Sequence, residues 1–136
     1  MIKAFVDTNV CLDLICGRTP FNSSAEKLFS LADSGKLKLY VSALSFANME
    51  YILKSQYKLE NARLALSRFK VLVSVLPVDD KIIELAIASG FVDFEDAIQY
   101  YSALESGLKV IITRDQRGYA KAEIQVIDPE GFISTV

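Results

Sequence analysis

A chain of 136 residues is the length of one domain, here taken as 1–136, and is long enough to bury a hydrophobic core without disulfides or a structural metal. Its apolar fraction of 51% is that of a globular protein, and a formal net charge of −2 supplies no global basic field, so any nucleic-acid contact must use a local patch. The absence of histidine excludes histidine-based ribonuclease chemistry and Ser-His-Asp triads.

Short apolar runs alternate with longer helical periods, the pattern of βα units around a parallel sheet. The run Ile2 to Val6 predicts a strand ending at Asp7, and a helix follows over roughly 9–16. Asp7, Asn9 and Asp13 interrupt this apolar start before it could serve as a signal-peptide core. No later segment approaches a membrane-spanning length, and the expectation is a cytoplasmic protein. Cys11 and Cys16 have a spacing that fits neither a CxxC redox motif nor a zinc ligand pair, and read as reduced, mostly buried thiols. After Pro20, Asn22 or Ser23 can cap a second helix, whose stripe Ala25, Leu28, Phe29 and Ala32 ends at Gly35. A strand near 38–42 leads into a helix capped by Ser42 or Ser45 and running to about Tyr57. Leu59, Ala62, Leu66 and Phe69 share one face of the next helix, so 43–70 is expected to form an antiparallel helical hairpin.

A strand near 71–76 precedes a helix capped by Asp79 or Asp80, running through Ser89 and closed by Gly90. The last long helix runs from Asp93 to Glu105, with Gly107 after it, and strands follow near 108–112 and 124–127. Between them, Asp115-Gln116-Arg117-Gly118 can begin a turn and a short helix containing Tyr119. Asp13, Asp79, Asp80 and Asp128 read as solvated or capping residues.

Asp7, Asp93, Asp96 and Asp115 stand where the chain turns between strand and helix. In an open α/β sheet, ligands bind outside the carboxyl ends of the strands, where acids from distant parts of the chain can meet. Gathered carboxylates repel unless a cation joins them. With no histidine and no lysine at these turns, a hard divalent cation with oxygen ligands, Mg²⁺ or Mn²⁺, is the expected counter-charge.

The segment Phe5-Val6-Asp7-Thr8-Asn9-Val10 resembles the opening of the PIN-domain family, which includes metal-dependent ribonucleases and VapC-type toxins. The resemblance extends along the chain through Val41-Ser42-Ala43-Leu44-Ser45, Asp93-Phe94-Glu95-Asp96-Ala97, Ile112-Thr113-Arg114-Asp115 and Val126-Ile127-Asp128-Pro129, in the family's order. It implies a three-layer α/β/α domain with a central parallel sheet and an acidic pocket that binds Mg²⁺ or Mn²⁺ and cleaves RNA. The matching acids are Asp7, Asp96 and Asp115, with Asp93 an additional metal-ligand candidate whose first reading is a helix cap. Asp7 would be the central ligand, and Thr8, Asn9 or Thr113 would orient the ligands by hydrogen bonds.

One position departs from the family. Many active members carry a glutamate in the helix after the second strand, where this chain has Asn48; Glu50, two residues on, lies about 200° around the helix and should face away. Asn48 then contributes a neutral carbonyl or a water contact, or Glu50 is used through a local helix shift, or the site is metal-poor.

For RNA, Arg114 is expected at the pocket mouth, and Lys54 and Lys58, with Arg63, Arg68 and Lys70 interleaved with Tyr51, Tyr57 and Phe69, form a candidate surface over a helix-packing core. The reading is a metal-dependent endoribonuclease, with an antitoxin protein and a homodimer among its expected partners. The alternative is a PIN-like RNA- or protein-binding module that has lost turnover. A phosphatase with an aspartyl nucleophile is disfavoured, because the DxDxT pattern is absent after Val6.

Overall fold

Five parallel strands build the centre of the molecule in the computed structural model, which describes residues 1–136. They are β1 (Ile2–Val6), β2 (Leu37–Ser42), β3 (Ser74–Leu76), β4 (Val110–Ile112) and β5 (Gln125–Ile127), in the order β3-β2-β1-β4-β5. Parallel neighbours require crossover connections, and the chain supplies α1 (Thr8–Ile15), α2 (Asn22–Asp33), α3 (Ala43–Ser55), α4 (Ala62–Lys70), α5 (Asp80–Ala88) and α6 (Phe94–Glu105). A 3₁₀ turn at Arg117–Tyr119 and α7 (Pro129–Ile133) complete it. No helix is long and apolar enough to cross a membrane.

Strand segments buried on both faces read as continuous apolar runs, which is why Ala4 to Val6 and Val110 to Ile112 show no polar alternation. Successive side chains still point to opposite faces. Ala4, Val6, Leu39 and Val41 pack with residues of α1, α2, α3, α4 and α7, including Leu12, Phe29, Met49, Phe69 and Phe132. Phe5 and Ile111 pack on the other face with Tyr100 and Ala103 of α6, and α5 docks on α6 through Ile82, Ala86, Ala97 and Ile98. Each fully buried Phe or Leu contributes about 1.5–3 kcal/mol, so a core on both faces holds the three-layer α/β/α arrangement that the sequence implied.

The strand order reverses direction at β1, with β2 on one side and β4 on the other. Val6 is in register with Ile112, and the Asp7 N–H donates to the Ile112 carbonyl at 2.9 Å. The residues that follow these strands, Asp7 and Thr113, therefore leave the sheet side by side at the switch point where ligands bind in such folds.

Several boundaries differ from expectation. Neither Asn22 nor Ser23 caps α2: Phe21 stands at the cap, and the backbone N–H of Asn22 bonds to Arg18 O at 2.8 Å, so the entering turn satisfies the helix start. Leu59 lies outside α4 and is exposed; Asn61 caps that helix instead. β3 begins at Ser74 rather than near 71, because Leu72 and Val73 bond back to Phe69 and Lys70 and stay with the end of α4. Gly90 does not close α5, whose last turn is tied by the Ser89 hydroxyl to Ala86 O at 2.8 Å. α7, which the sequence reading lacked, starts with Asp128 capping Gly131 N and Pro129 in the first turn.

Candidate functional site

Asp7 is the residue to which the site is tied. It caps α1 by position, but its carboxylate makes no capping bond. Instead Oδ2 accepts from Thr113 Oγ1 at 2.8 Å and Oδ1 accepts from Gln99 Nε2 at 2.9 Å. Gln99 is fully buried; its Nε2 also donates to the Tyr119 hydroxyl at 3.0 Å, and its Oε1 accepts the Thr8 N–H at 3.2 Å. Thr8 Oγ1 in turn donates to Ser45 Oγ at 2.8 Å. Both carboxylate oxygens are thus aimed by donors from α6 and the end of β4, which leaves their remaining lone pairs in fixed directions. Burial pushes the Asp7 carboxyl up from its ordinary value more than the bonds from Gln99 and Thr113 pull it down, and the charge of Asp115 adds to the rise.

The first turn of α6 brings the other acids. Asp93 caps the helix, its Oδ1 accepting from Asp96 N at 2.9 Å, and Glu95 and Asp96 follow in the first turn, where the helix dipole favours negative charge. Asp96 is pushed up to about 7, by burial first and then by the charges of Asp93, Asp7, Asp115 and Glu95. Asp115 enters from the turn after β4: its N–H donates to Thr113 Oγ1 at 3.1 Å and its Oδ1 accepts from Gly118 N at 3.3 Å. A Cβ added at Gly118 would collide with Asp96 Oδ2 and stand 3.1 Å from Asp115 Oδ2, so the missing side chain at 118 is what lets these two carboxylates approach each other.

Asp93, Asp96 and Asp115 line one cleft of about 400 Å³ together with Arg117, Gly118 and Lys121. No three of the acids are positioned to hold a single ion as their side chains stand. The donor set is nevertheless all oxygen, and none of Asp7, Asp93, Asp96 or Asp115 has a salt-bridge partner to offset the others' charge. This chemistry fits a hard divalent cation held by few carboxylates with water completing its shell, as Mg²⁺ prefers.

Two acids near or in this site were not singled out by sequence. Glu95 is half-buried, accepts a hydrogen bond from Asn48 Nδ2, and is raised by burial first, then by the charges of Asp7 and Asp93. Asn48 therefore faces the site from α3, whereas Glu50 points to Lys54 and Arg63, each 3.9 Å away. Asp13, read as solvated, is wholly buried on α1. Arg114 forks onto it, Nε to Oδ2 at 2.7 Å and Nη2 to Oδ1 at 3.0 Å, and the Arg18 Nε lies 2.9 Å from Oδ1, off the hydrogen-bond direction, as an ionic contact.

Arg114 is consequently not free at the mouth of the acidic cleft: it lies over the Phe21 ring, 3.8 Å from the centroid, and lines a separate cleft with Asp128 and Glu130. Asn9 does not reach the acids either; its carbonyl accepts from Arg18 at 2.8 Å. Lys54 and Lys58 are exposed, and neither lines the acidic cleft, whose basic residues are Arg117 and Lys121. Gln99 carried one sequence signal: it follows Glu95 by four residues and Asp96 by three, so all three share a face of α6. Cys11 and Cys16 are free.

A model of the PIN domain family matches residues 3–117. Ribonuclease VapC1 of Aquifex aeolicus (strain VF5) is 29% identical over 138 residues, spanning 96% of this chain and 92% of that protein. Among solved structures, DNA-bound VapBC from Salmonella typhimurium superposes with a TM-score of 0.71 at 22% identity, covering 95% of this chain and 99% of that one. A toxin-antitoxin complex from Klebsiella pneumoniae gives 0.67 at 22% identity, covering 93% and 97%. At these identities the structural neighbours establish the fold.

Proposed function

We propose that this chain, which belongs to the PIN domain family, is a Mg²⁺- or Mn²⁺-dependent endoribonuclease, folded as one domain over 1–136 and acting in the cytoplasm as the toxin of a toxin–antitoxin pair. The observation that carries the reading is the buried Asp7 carboxylate at the carboxyl end of β1, clamped by Thr113 and Gln99, together with the cleft that Asp96 from α6 and Asp115 after β4 line. The relative named as a ribonuclease, and the toxin–antitoxin complex among the structural neighbours, support the substrate and the partner.

Asp7 would be the central ligand, with Asp96 and Asp115 bound directly or through water and Asp93 contributing from the helix cap. A divalent ion there supplies a nucleophilic water at neutral pH and offsets charge on the phosphoryl and leaving oxygens. Thr113 and Gln99 fix the Asp7 carboxylate, and Thr8 holds Gln99 in the amide orientation that donates to Asp7. Arg117 and Lys121, lining the same cleft as the acids, would neutralise a substrate phosphate. Lys54 and Lys58 would meet only RNA extending past the cleft, and Arg114 serves Asp13.

Thermal melts with and without Mn²⁺, paired with cleavage of a mixed RNA substrate, test the proposal. A ligand that binds only the folded state at about a hundred times its Kd stabilises by about 2.7 kcal/mol, so the wild-type melting point should rise with metal. Asp7→Asn should lose both the rise and the cleavage while keeping the fold. A wild-type protein showing neither, across several metals and substrates, favours the binding module without turnover.

A further inference from the structure

We propose that Glu95 is a further ligand for the cation of this site, aimed toward Asp7 by the side-chain amide of Asn48, so that α6 provides the carboxylate and α3 the neutral group that holds it. The inference rests on the metal-dependent reading above and adds a residue and its positioning partner to it.

Three observations meet at Glu95. It stands one helical turn before Gln99 on the face of α6 that bonds Asp7, so its side chain is directed at the same crevice. Its hydrogen-bond partner is the neutral Asn48 amide on α3. It is half-buried and has no lysine or arginine within ion-pair distance. A carboxylate partly withdrawn from water and served only by a neutral donor lacks the counter-charge that burial demands. A cation shared with Asp7 provides it. Asn48 suits the positioning role because its amide can donate to a carboxylate without adding a charge of its own, and α3 carries it there from a helix start fixed by the Ser42 cap.

The competing role for Glu95 is purely structural: a neutral carboxyl bracing α6 against α3. The two are separated by Mn²⁺ titration calorimetry and by Mn²⁺-induced melting shifts on wild type, Glu95→Gln, Asn48→Ala and the exchange variant Asn48→Glu with Glu95→Gln. As a ligand, Glu95→Gln should weaken Mn²⁺ binding about tenfold or more, Asn48→Ala should weaken it by a smaller factor, and the exchange variant, which returns a carboxylate to the same contact from α3, should regain most of the loss. Melting in EDTA reports the fold of each variant separately from its metal affinity. Glu95→Gln binding Mn²⁺ as wild type does would overturn the inference and leave the nuclease reading standing. An exchange variant that folds but stays as weak as Glu95→Gln would also overturn it, and wild type that binds no Mn²⁺ at all would remove both.

Discussion

Asp13 is a carboxylate with no solvent exposure, sitting on α1 between two guanidinium groups that come from opposite parts of the chain. Its charge is tolerable only because Arg18 and Arg114 satisfy it, and Arg114 is itself pinned over Phe21. Removing one partner of a buried pair leaves uncompensated charge, so Asp13→Ala should cost about 3–5 kcal/mol in denaturant unfolding. Mn²⁺ affinity measured on the same variant should hold, since Asp13 lines neither the acidic cleft nor its hydrogen-bond network. A loss under about 1 kcal/mol would show the cluster to behave like a surface pair. From sequence, this residue could not be told from a solvated helix acid, because its partners are placed by tertiary folding and burial is not a local property. Gln99 was hidden for the same reason: a glutamine between Ile98 and Tyr100 reads as an exposed helix position until the fold puts Asp7, Thr8 and Tyr119 around it.

The connection between α3 and α4 contains Lys58 at φ 52, a left-handed backbone in a residue with a side chain. That conformation costs about 1–2 kcal/mol for an L-residue, while glycine adopts it freely but loses about 0.4–1 kcal/mol through its more mobile unfolded state. Lys58→Gly should therefore raise stability by roughly 0.5–1 kcal/mol, seen as a higher urea midpoint with an unchanged slope. Lys58→Ala keeps the strain and should give no gain, which separates backbone relief from the loss of a lysine charge. The elements flanking this turn were largely legible, since α3, α5 and α6 begin at a serine or aspartate that caps and carry apolar residues at helical spacing. Errors fell where one element's signal ran into the next: Val71 to Val73 look like a strand start but close α4, and Leu59 matches the phase of α4 but precedes its cap. α7 is five residues long, too short for periodicity, and only its Asp128-Pro129 start announces it.

Across the whole molecule, the site depends on a strand order that no local pattern encodes. The sequence placed acids at the ends of β1 and β4, but their meeting requires β4 to lie against β1 in the register that pairs Val6 with Ile112, more than a hundred residues away. The same gathering sets how stability responds to pH. Asp7, Glu95 and Asp96 are all raised in the folded protein, Asp96 to about 7. Raised carboxyls bind protons more tightly when folded, so their protonation favours the native state fully below the ordinary carboxylate range, near about 4, and that advantage is lost as pH rises through the folded values. The protein in EDTA should thus melt at progressively lower temperature from about pH 5 to pH 8, and Asp96→Asn should flatten the slope in the upper part of that window. A divalent ion competes with those protons, so the melting-point rise on adding Mn²⁺ should be larger at pH 8 than at pH 6. Melting curves at several pH values, in EDTA and in Mn²⁺, read both trends together. A melting point in EDTA that climbs with pH, unchanged by Asp96→Asn, would mean that the pocket's carboxylates are not crowded in solution and would remove the electrostatic ground for a cation there.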